Sequence, residues 1–158
     1  MLTGIILAGG KSTRMGEDKA FLKGGVARLA EEMRNAGCSR IIVMCGIKER
    51  SNLFNEECVE DAGETLAESL KILLDSLEGE VQLSPCDAVL ADAEFFSSLT
   101  GVPSDQNGSR QPLLARFNLP LLKITSNKIS EMFAHIPSCP GGKKATNVNT
   151  PEEFKEIG

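Results

Sequence analysis

The sequence has few residues that could build a metal cage or a disulfide framework. One histidine accompanies the five cysteines, and no two cysteines form a C-x-x-C pair. Structural zinc sites need closely spaced cysteine and histidine ligands, and small disulfide-stapled proteins carry an even, patterned set of cysteines. We therefore expect neither a zinc site nor disulfides, and we predict reduced thiols that are mostly buried.

Long hydrophobic segments are also absent. The longest uninterrupted apolar run extends from Gly4 to Gly10, which is far too short to span a bilayer. No basic segment precedes this run, and charged side chains follow it at once from Lys11 onward, which is not the pattern of a signal peptide. We expect a cytoplasmic protein without a membrane partner.

The length and charge of the chain narrow its class further. With 158 residues and 41% hydrophobic content, the chain fits a single globular domain, which we place at residues 1–158. A formal net charge of -5 lacks the basic excess of a nucleic-acid surface, so we expect no nucleic-acid partner. Residues 11–23 are locally positive, which favours a small anion bound near the N-terminus. The sequence leaves the oligomeric state open.

Apolar runs and amphipathic patterns alternate along the chain. Thr3–Ala8 is predicted to be a central strand that ends at a glycine turn, and Arg40–Cys45 and Glu80–Ser84 are predicted to be further buried strands. The alternation predicts an α/β fold, a single doubly wound three-layer domain with a mainly parallel, Rossmann-like sheet. The predicted helices are one from Val26 that stops before Gly37, one with a capping box of Thr65 and Glu68, and a short one capped by Asp92.

The second half of the chain has weaker signals. Thr100–Gln111 is rich in Gly, Ser, Pro and Asn and is predicted to be a long loop, followed by an outer strand at Pro112–Phe117. The other predicted elements are a helix lined by Ile129, Met132, Phe133 and Ile136 and a last strand at Ala145–Asn149. Because ligands of such sheets bind beyond the carboxyl ends of the strands, the turns after Ala8, Cys45 and Ser84 are expected to line one crevice.

The most informative segment is Leu7 to Lys19, which reads L-A-G-G-K-S-T-R-M-G-E-D-K. A Walker A loop would need glycine where the chain has Ile5, and a G-x-G-x-x-G turn would need one at Lys11 or Ser12. Glycines let backbone N–H groups approach a phosphate, Arg grips it with paired donors and Lys adds a point charge. The segment therefore predicts a phosphate site, with a solvated basic turn as the alternative.

This segment resembles the signature of the sugar-nucleotide-type nucleotidyltransferases, and its R-M-G-x-D-K form is most similar to that of the molybdenum cofactor guanylyltransferases. The resemblance continues in order along the chain. The matching segments are Cys58–Asp61, a strand ending in an aspartate near the guanine; Leu83–Asp87, a P-C-D motif whose aspartate holds magnesium; Gln111–Leu114, written His-Pro-Leu in the family; and Asn147–Phe154, the closing N-x-N-T-P-E motif.

The resemblance implies a nucleotidyltransferase that transfers GMP from GTP to the terminal phosphate of molybdopterin and releases pyrophosphate. Its partners would be GTP and a phosphate-bearing acceptor. It implies Mg²⁺ as the cofactor, held by Asp87, with Arg14 and Lys19 as the other catalytic residues. Asn147 and Asn149 are expected near the acceptor or the metal. The implied nucleotide contacts are Leu7, Ala8, Gly9, Gly10, Ser12, Thr13, Arg14, Lys19, Asp61 and Asp87.

Alternatives to this function stay open. The chain departs from the family pattern at some positions, and individual site residues also have ordinary structural interpretations. The chain has E-T-L-A-E at Glu64–Glu68 where the family has G-P-L-A-G, and Cys45–Gly46 stand where an asparagine is common. Read alone, Asp87 could cap a turn, Asp61 could be a solvated loop residue, and His135 is read as structural. The alternative functions are another nucleotidyltransferase of this fold, acting on a sugar, alcohol or cobinamide phosphate, and a nucleotide-binding protein without turnover.

Overall fold

The computed structural model describes residues 1–9, 25–120 and 128–145. This part of the chain contains strands, α-helices and short 3-10 helices in alternation. None of its helices combines the length and the apolar character needed to cross a bilayer. The elements are β1 (Leu2–Leu7), α1 (Gly25–Asn35), β2 (Arg40–Gly46), a 3-10 helix (Lys48–Leu53), β3 (Glu57–Glu60), α2 (Leu66–Asp75), β4 (Glu80–Pro85), α3 (Ala93–Ser98), β5 (Val102–Asp105), a 3-10 helix (Pro112–Leu114), β6 (Arg116–Asn118), α4 (Ile129–Met132), β7 (Ser138–Gly142) and a 3-10 helix (Lys143–Ala145).

The main sheet has five strands in the order β3-β2-β1-β4-β6. β1 lies at its centre, and Ile5 pairs in parallel register with Ile42 of β2 and with Leu83 of β4. Among the described strands of this sheet, only β6 runs antiparallel, at the edge beside β4. The predictions of a central first strand and a mainly parallel sheet are confirmed. An almost wholly apolar strand favours this position, because both of its faces are covered there.

Apolar side chains of β1 alternate between the two faces of the sheet, and each face is covered. Ile6 belongs to a cluster with Leu29 of α1 and Phe96 of α3. Ile5 points the other way, into a cluster with Leu70 of α2 and with Met132 of α4. Helices on both faces make three layers, so the predicted doubly wound α/β fold is confirmed.

The predicted helix caps are present. The Thr65 hydroxyl accepts a hydrogen bond from the Glu68 N–H at 3.1 Å, and the Glu68 carboxylate accepts one from the Glu64 N–H at 2.9 Å. Asp92 caps α3 by accepting from the Phe95 N–H at 2.9 Å. These side chains supply acceptors for N–H groups that a first helical turn cannot pair, which is why the sequence signals were reliable.

The predicted loop at Thr100–Gln111 is wrong in part, because it contains β5. This strand pairs in parallel with β7 in a second, two-stranded sheet that the sequence did not predict. The sequences of β5 and β7, VPSD and SCPGG, are rich in residues that disfavour strands, so their pairing depends on tertiary contacts.

Three other expectations for the second half need correction. Pro112–Phe117 is not one strand, since Pro112–Leu114 form a 3-10 helix and the strand begins at Arg116. The helix predicted to carry Ile129, Met132, Phe133 and Ile136 covers only Ile129–Met132, although Phe133 and Ile136 beyond it are buried as the apolar pattern required. Ala145 lies in a 3-10 helix, and the rest of the predicted last strand lies outside the described residues.

Candidate functional site

The carboxyl ends of β1, β2 and β4 meet at one edge of the sheet. The Ala8 N–H donates to the Met44 carbonyl at 2.9 Å, so β1 stays paired with β2 to its end. The Cys86 N–H donates to the Leu7 carbonyl at 3.0 Å, which carries the β1–β4 pairing one residue past β4. The turns that follow these strands therefore lie side by side, as the sequence predicted, and Leu7, Ala8, Gly9, Asp61 and Asp87 belong to this edge.

Gly9 and Gly46 touch through their backbones at this edge. A Cβ on Gly9 would lie 3.1 Å from the Gly46 Cα, and a Cβ on Gly46 would lie 2.8 Å from the Gly9 Cα and would also strike the Gly9 carbonyl oxygen. Gly46 has φ +87°, a left-handed conformation that side chains disfavour. The absence of both side chains brings the turn after β1 directly against the end of β2.

Asp61 stands beside this glycine contact. Its N–H donates to the Gly46 carbonyl at 2.8 Å, and its Oδ2 lies 3.3 Å from where a Cβ on Gly9 would be. Its Oδ1 is buried and has no hydrogen-bond partner among the described residues. Burial raises the pKa of the Asp61 carboxyl, and the nearby Gly46 N–H lowers it in part. The site thus holds a strong acceptor whose hydrogen-bonding capacity is only partly used.

Asp87 is the second carboxylate at this edge and is half-buried. It lies in a tight turn directly after β4, in which the Ala88 N–H donates to the Pro85 carbonyl at 3.3 Å and the Val89 N–H to the Asp87 carbonyl at 2.8 Å. The turn is held from outside by Arg28 of α1, which donates to the carbonyls of Ala91 at 2.7 Å and Ala88 at 2.9 Å.

Two arginines at this edge were missed by the sequence analysis. Arg28 carries no motif, since it occupies one position of an amphipathic helix. Arg50 belongs to a charged run, K-E-R, that is typical of a solvated turn, yet it is only 5% exposed. Its Nε donates to the Cys45 carbonyl at 3.0 Å and its Nη2 to the Ala8 carbonyl at 2.8 Å. Neither residue has a local sequence signal, because each donates to a backbone carbonyl far away in the sequence, Arg28 to that of Ala91 and Arg50 to that of Ala8.

Seven of the predicted site residues lie outside the described residues. They are Gly10, Ser12, Thr13, Arg14, Lys19, Asn147 and Asn149. The remaining predicted contacts are all brought to the same edge of the sheet. Within the described segments, no cluster of three or more His, Cys, Asp or Glu side chains has the geometry of a metal site.

The sequence also predicts the state of the cysteines and the role of His135. The five cysteines are free thiols and three of them, Cys38, Cys45 and Cys139, are buried, which confirms that most thiols are buried. His135 is exposed and lines a cavity of about 280 Å³ together with Glu80 and Arg116. Since Glu80 begins β4, this cavity lies at the amino end of that strand, opposite Asp87.

A mainly parallel sheet with Gly9 and two carboxylates at its carboxyl edge is the arrangement expected of an α/β nucleotidyltransferase. A family model described as "MobA-like NTP transferase domain" matches residues 4–122, and the chain belongs to that family. The resemblance found in the sequence is thereby confirmed. Nucleotidyltransferases of this family act on a nucleoside triphosphate and a phosphate-bearing acceptor.

Known proteins are similar to the chain over its whole length. A Bacillus cytotoxicus protein named "Probable molybdenum cofactor guanylyltransferase" is 26% identical, over 99% of this chain and 96% of its own length. The structure of molybdopterin-guanine dinucleotide biosynthesis protein A from Archaeoglobus fulgidus has a TM-score of 0.69 at 15% identity, covering 98% of this chain and 95% of its own. A 4-diphosphocytidyl-2C-methyl-D-erythritol synthase has a TM-score of 0.72 at 11% identity, covering 99% and 95% of the two chains. The structural likenesses show the shared fold.

Proposed function

We propose that the protein transfers GMP from GTP to the terminal phosphate of molybdopterin. An oxygen of the acceptor phosphate forms a bond to the α-phosphorus of GTP, and the bond from that phosphorus to the α,β-bridging oxygen breaks. The electron pair of the broken bond leaves with pyrophosphate, so no protein nucleophile is needed. The name of the Bacillus cytotoxicus relative supports this choice among the reactions of the family.

The triphosphate would bind at the turn after β1. No described residue accepts a hydrogen bond from the Gly9 N–H, and Gly9 is exposed. The basic side chains of Arg14 and Lys19 follow closely in sequence and supply paired donors and a point charge. Transfer of this kind depends mainly on positioning and on neutralising charge, and these groups would supply part of both for the triphosphate.

The choice of guanine rests on Asp61, and its unpartnered Oδ1 is the observation that carries the proposal. The Watson–Crick edge of guanine offers two donors, N1–H and the exocyclic amino group, which one carboxylate can accept together. Adenine presents an acceptor at N1 and would leave the carboxylate facing a lone pair. A desolvated carboxylate without a donor is costly, so Asp61 would discriminate against adenine.

Asp87 is suited to hold Mg²⁺. The ion is normally bound by one or two carboxylates together with water and substrate phosphates, and it does not need an all-protein cage. A half-buried carboxylate at a strand end, in a turn fastened by Arg28, fits this requirement. When bound, Mg²⁺ would neutralise charge on the phosphate oxygens and help to align the reacting groups. Arg28 and the β4 turn hold Asp87 in place for this task.

Pyrophosphate release tests the proposal directly. The protein is incubated with Mg²⁺, each of the four ribonucleoside triphosphates and a set of acceptors: molybdopterin, a sugar phosphate, an alcohol phosphate and cobinamide phosphate. We expect release with GTP and molybdopterin only, together with formation of the dinucleotide. Release with another acceptor or another triphosphate would assign a different transferase, and binding of triphosphates without release in any combination would indicate a protein without turnover.

A further inference from the structure

Arg50 is a buried cation at the carboxyl edge of the sheet that the proposed reaction does not use. It follows β2 in the 3-10 helix Lys48–Leu53, where its own N–H donates to the Ile47 carbonyl at 3.1 Å. Its side chain turns back toward the ends of β1 and β2, where it donates to the carbonyls of Cys45 at 3.0 Å and Ala8 at 2.8 Å. One guanidinium therefore holds the last peptides of β1 and β2 together.

These two carbonyls control the N–H groups that follow them. In a planar trans peptide, the C=O of one residue and the N–H of the next point in opposite directions. Because the Ala8 carbonyl is turned toward Arg50, the Gly9 N–H is directed away from it, where no described residue accepts it. Because the Cys45 carbonyl is turned toward Arg50, the Gly46 N–H points away from Arg50, and the Gly46 carbonyl accepts a hydrogen bond from the Asp61 N–H at 2.8 Å.

The charge of Arg50 matters as well as its geometry. Carbonyl oxygens at the carboxyl edge of a parallel sheet carry partial negative charge and repel a phosphate. A guanidinium bound to two of them offsets that charge, and it keeps its own charge at every accessible pH. A lysine ammonium would keep the charge but has no planar fork to span both carbonyls.

We propose that Arg50 is the positioning residue of the nucleotide site, where it sets the direction of the Gly9 N–H toward the triphosphate and holds the end of β2, whose Gly46 carbonyl binds the Asp61 N–H. The inference rests on the proposed nucleotide site, but not on guanine or molybdopterin. Arg50 acts through the backbone and is not a catalytic residue. Its effect would reach both turns, because the Gly9 and Gly46 backbones lie so close that an added Cβ on Gly46 would come within 2.8 Å of the Gly9 Cα.

The test uses inorganic triphosphate with Mg²⁺ as the probe, because it carries no base and needs no acceptor. Calorimetry measures its affinity for the wild type, Arg50→Met and Arg50→Lys, and circular dichroism with urea titration measures folding. Arg40→Met is the matched control, because Arg40 lies on β2 at the opposite end and pairs with Glu57 on the surface at 2.6 Å. The same proteins are then assayed for the KM and kcat of GTP.

We expect Arg50→Met to weaken triphosphate binding by about tenfold or more while the protein is still folded, since two carbonyl contacts to a charged donor are lost. Arg50→Lys should recover part of the affinity, Arg40→Met should bind like the wild type, and the KM for GTP should rise more than kcat falls. If Arg50→Met does not fold, a several-fold loss of affinity in Arg50→Lys supports the same conclusion.

Other results would overturn the inference. Wild-type affinity in Arg50→Lys and Arg50→Met, or a lower urea midpoint with unchanged affinity, would show that Arg50 only stabilises the fold. If the wild type binds neither inorganic triphosphate nor GTP, this inference and the proposed function are both rejected. Triphosphate binding that depends on Arg50, in a protein that prefers another nucleotide or acceptor, would reject the proposed function alone.

Discussion

Gly9 and Gly46 lie in backbone contact where the first two strands of the sheet end, and a Cβ on Gly46 would come within 2.8 Å of the Gly9 Cα. This contact joins the turn that carries the predicted phosphate site to the strand that borders Asp61. Because both positions are glycine, the boundary between the proposed phosphate and base sites is made of backbone, and its shape depends on the groups that hold those peptides.

Substitution of Gly46 should disturb this contact. Gly46→Ala places a side chain at φ +87° and into the Gly9 backbone, so we expect it to lower the free energy of unfolding by about 2–4 kcal/mol. Gly108→Ala is the matched control, because Gly108 has φ +82° but nothing lies within 4 Å of an added Cβ. Urea unfolding should give a smaller loss for the control. Equal losses in the two variants would mean that backbone conformation alone accounts for the effect.

Asp61→Asn should stabilise the protein at neutral pH. Burial raises the pKa of Asp61 in the folded state, so the folded state binds the proton more tightly and stability falls as pH rises through that range. The Asn side chain has no charge to bury and so avoids this cost. We expect the free energy of unfolding to rise by roughly 1 kcal/mol at pH 7, which corresponds to an increase in Tm of about 2–4 °C. The difference should disappear below the ordinary aspartate pKa of 3.8. A variant that is less stable than the wild type at pH 7 would contradict this account.

The same substitution should reduce base selectivity. We expect the wild type to bind GTP more tightly than ATP, CTP or UTP, and Asp61→Asn to narrow the preference over ATP by about tenfold, because the NH2 group of Asn replaces one acceptor oxygen and would face a guanine donor. Titration of both proteins with the four triphosphates measures this. A wild-type preference for ATP or UTP would remove both the guanylyl assignment and the role of Asp61.

Asp87→Ala should abolish transfer without unfolding the protein. The side chain is half-buried at the end of β4, and its loss would leave Mg²⁺ without its protein ligand. Pyrophosphate release should fall by about 100-fold or more, as is usual when a metal-binding carboxylate is removed, while Tm stays near that of the wild type. Asp75→Ala, an exposed carboxylate at the end of α2, is the control. Retention of more than about a tenth of the activity would exclude the metal role.

Arg14→Ala and Lys19→Ala should weaken binding of nucleoside triphosphates. Each removes a cation from the positively charged segment at residues 11–23, and charge-assisted hydrogen bonds to phosphate are among the stronger polar contacts. We expect about a tenfold loss of GTP affinity in each, measured by calorimetry. Lys48→Ala removes an exposed lysine and serves as the control. Unchanged affinity and unchanged turnover in both variants would reject the anion site.

Arg28→Met should loosen the turn that carries Asp87. Two carbonyls, those of Ala88 and Ala91, would lose a charged donor, so we expect the free energy of unfolding to fall by about 2–3 kcal/mol. Arg34→Met, an exposed position near the end of α1, is the control for loss of an arginine from that helix. Urea unfolding compares the two, and a Mg²⁺ titration should show that Arg28→Met, but not the control, needs a higher Mg²⁺ concentration for half-maximal activity. Equal behaviour of both variants would show that Arg28 does not support Asp87.

The sequence by itself determined the features that arise from neighbouring residues. The apolar run at Thr3–Ala8 required burial on both faces and hence a central strand, and Thr65 and Asp92 cap helices through N–H groups three positions away. The order of strands and helices was enough to predict a doubly wound sheet and the edge at which its ligand turns meet. The local positive charge of residues 11–23 favoured a small anion near the N-terminus, and the negative net charge argued against a nucleic-acid partner.

Tertiary structure alone decided how that edge is held together. Arg50 reaches the Ala8 carbonyl across 42 positions of the sequence, and Arg28 reaches the Ala91 carbonyl across 63. The pairing of β5 with β7 likewise joins two segments of poor strand propensity. Backbone carbonyls carry no sequence signature, so their partners are set by which strand ends the folded sheet brings together. The roles of Arg28 and Arg50 therefore follow from the three-dimensional arrangement of the chain.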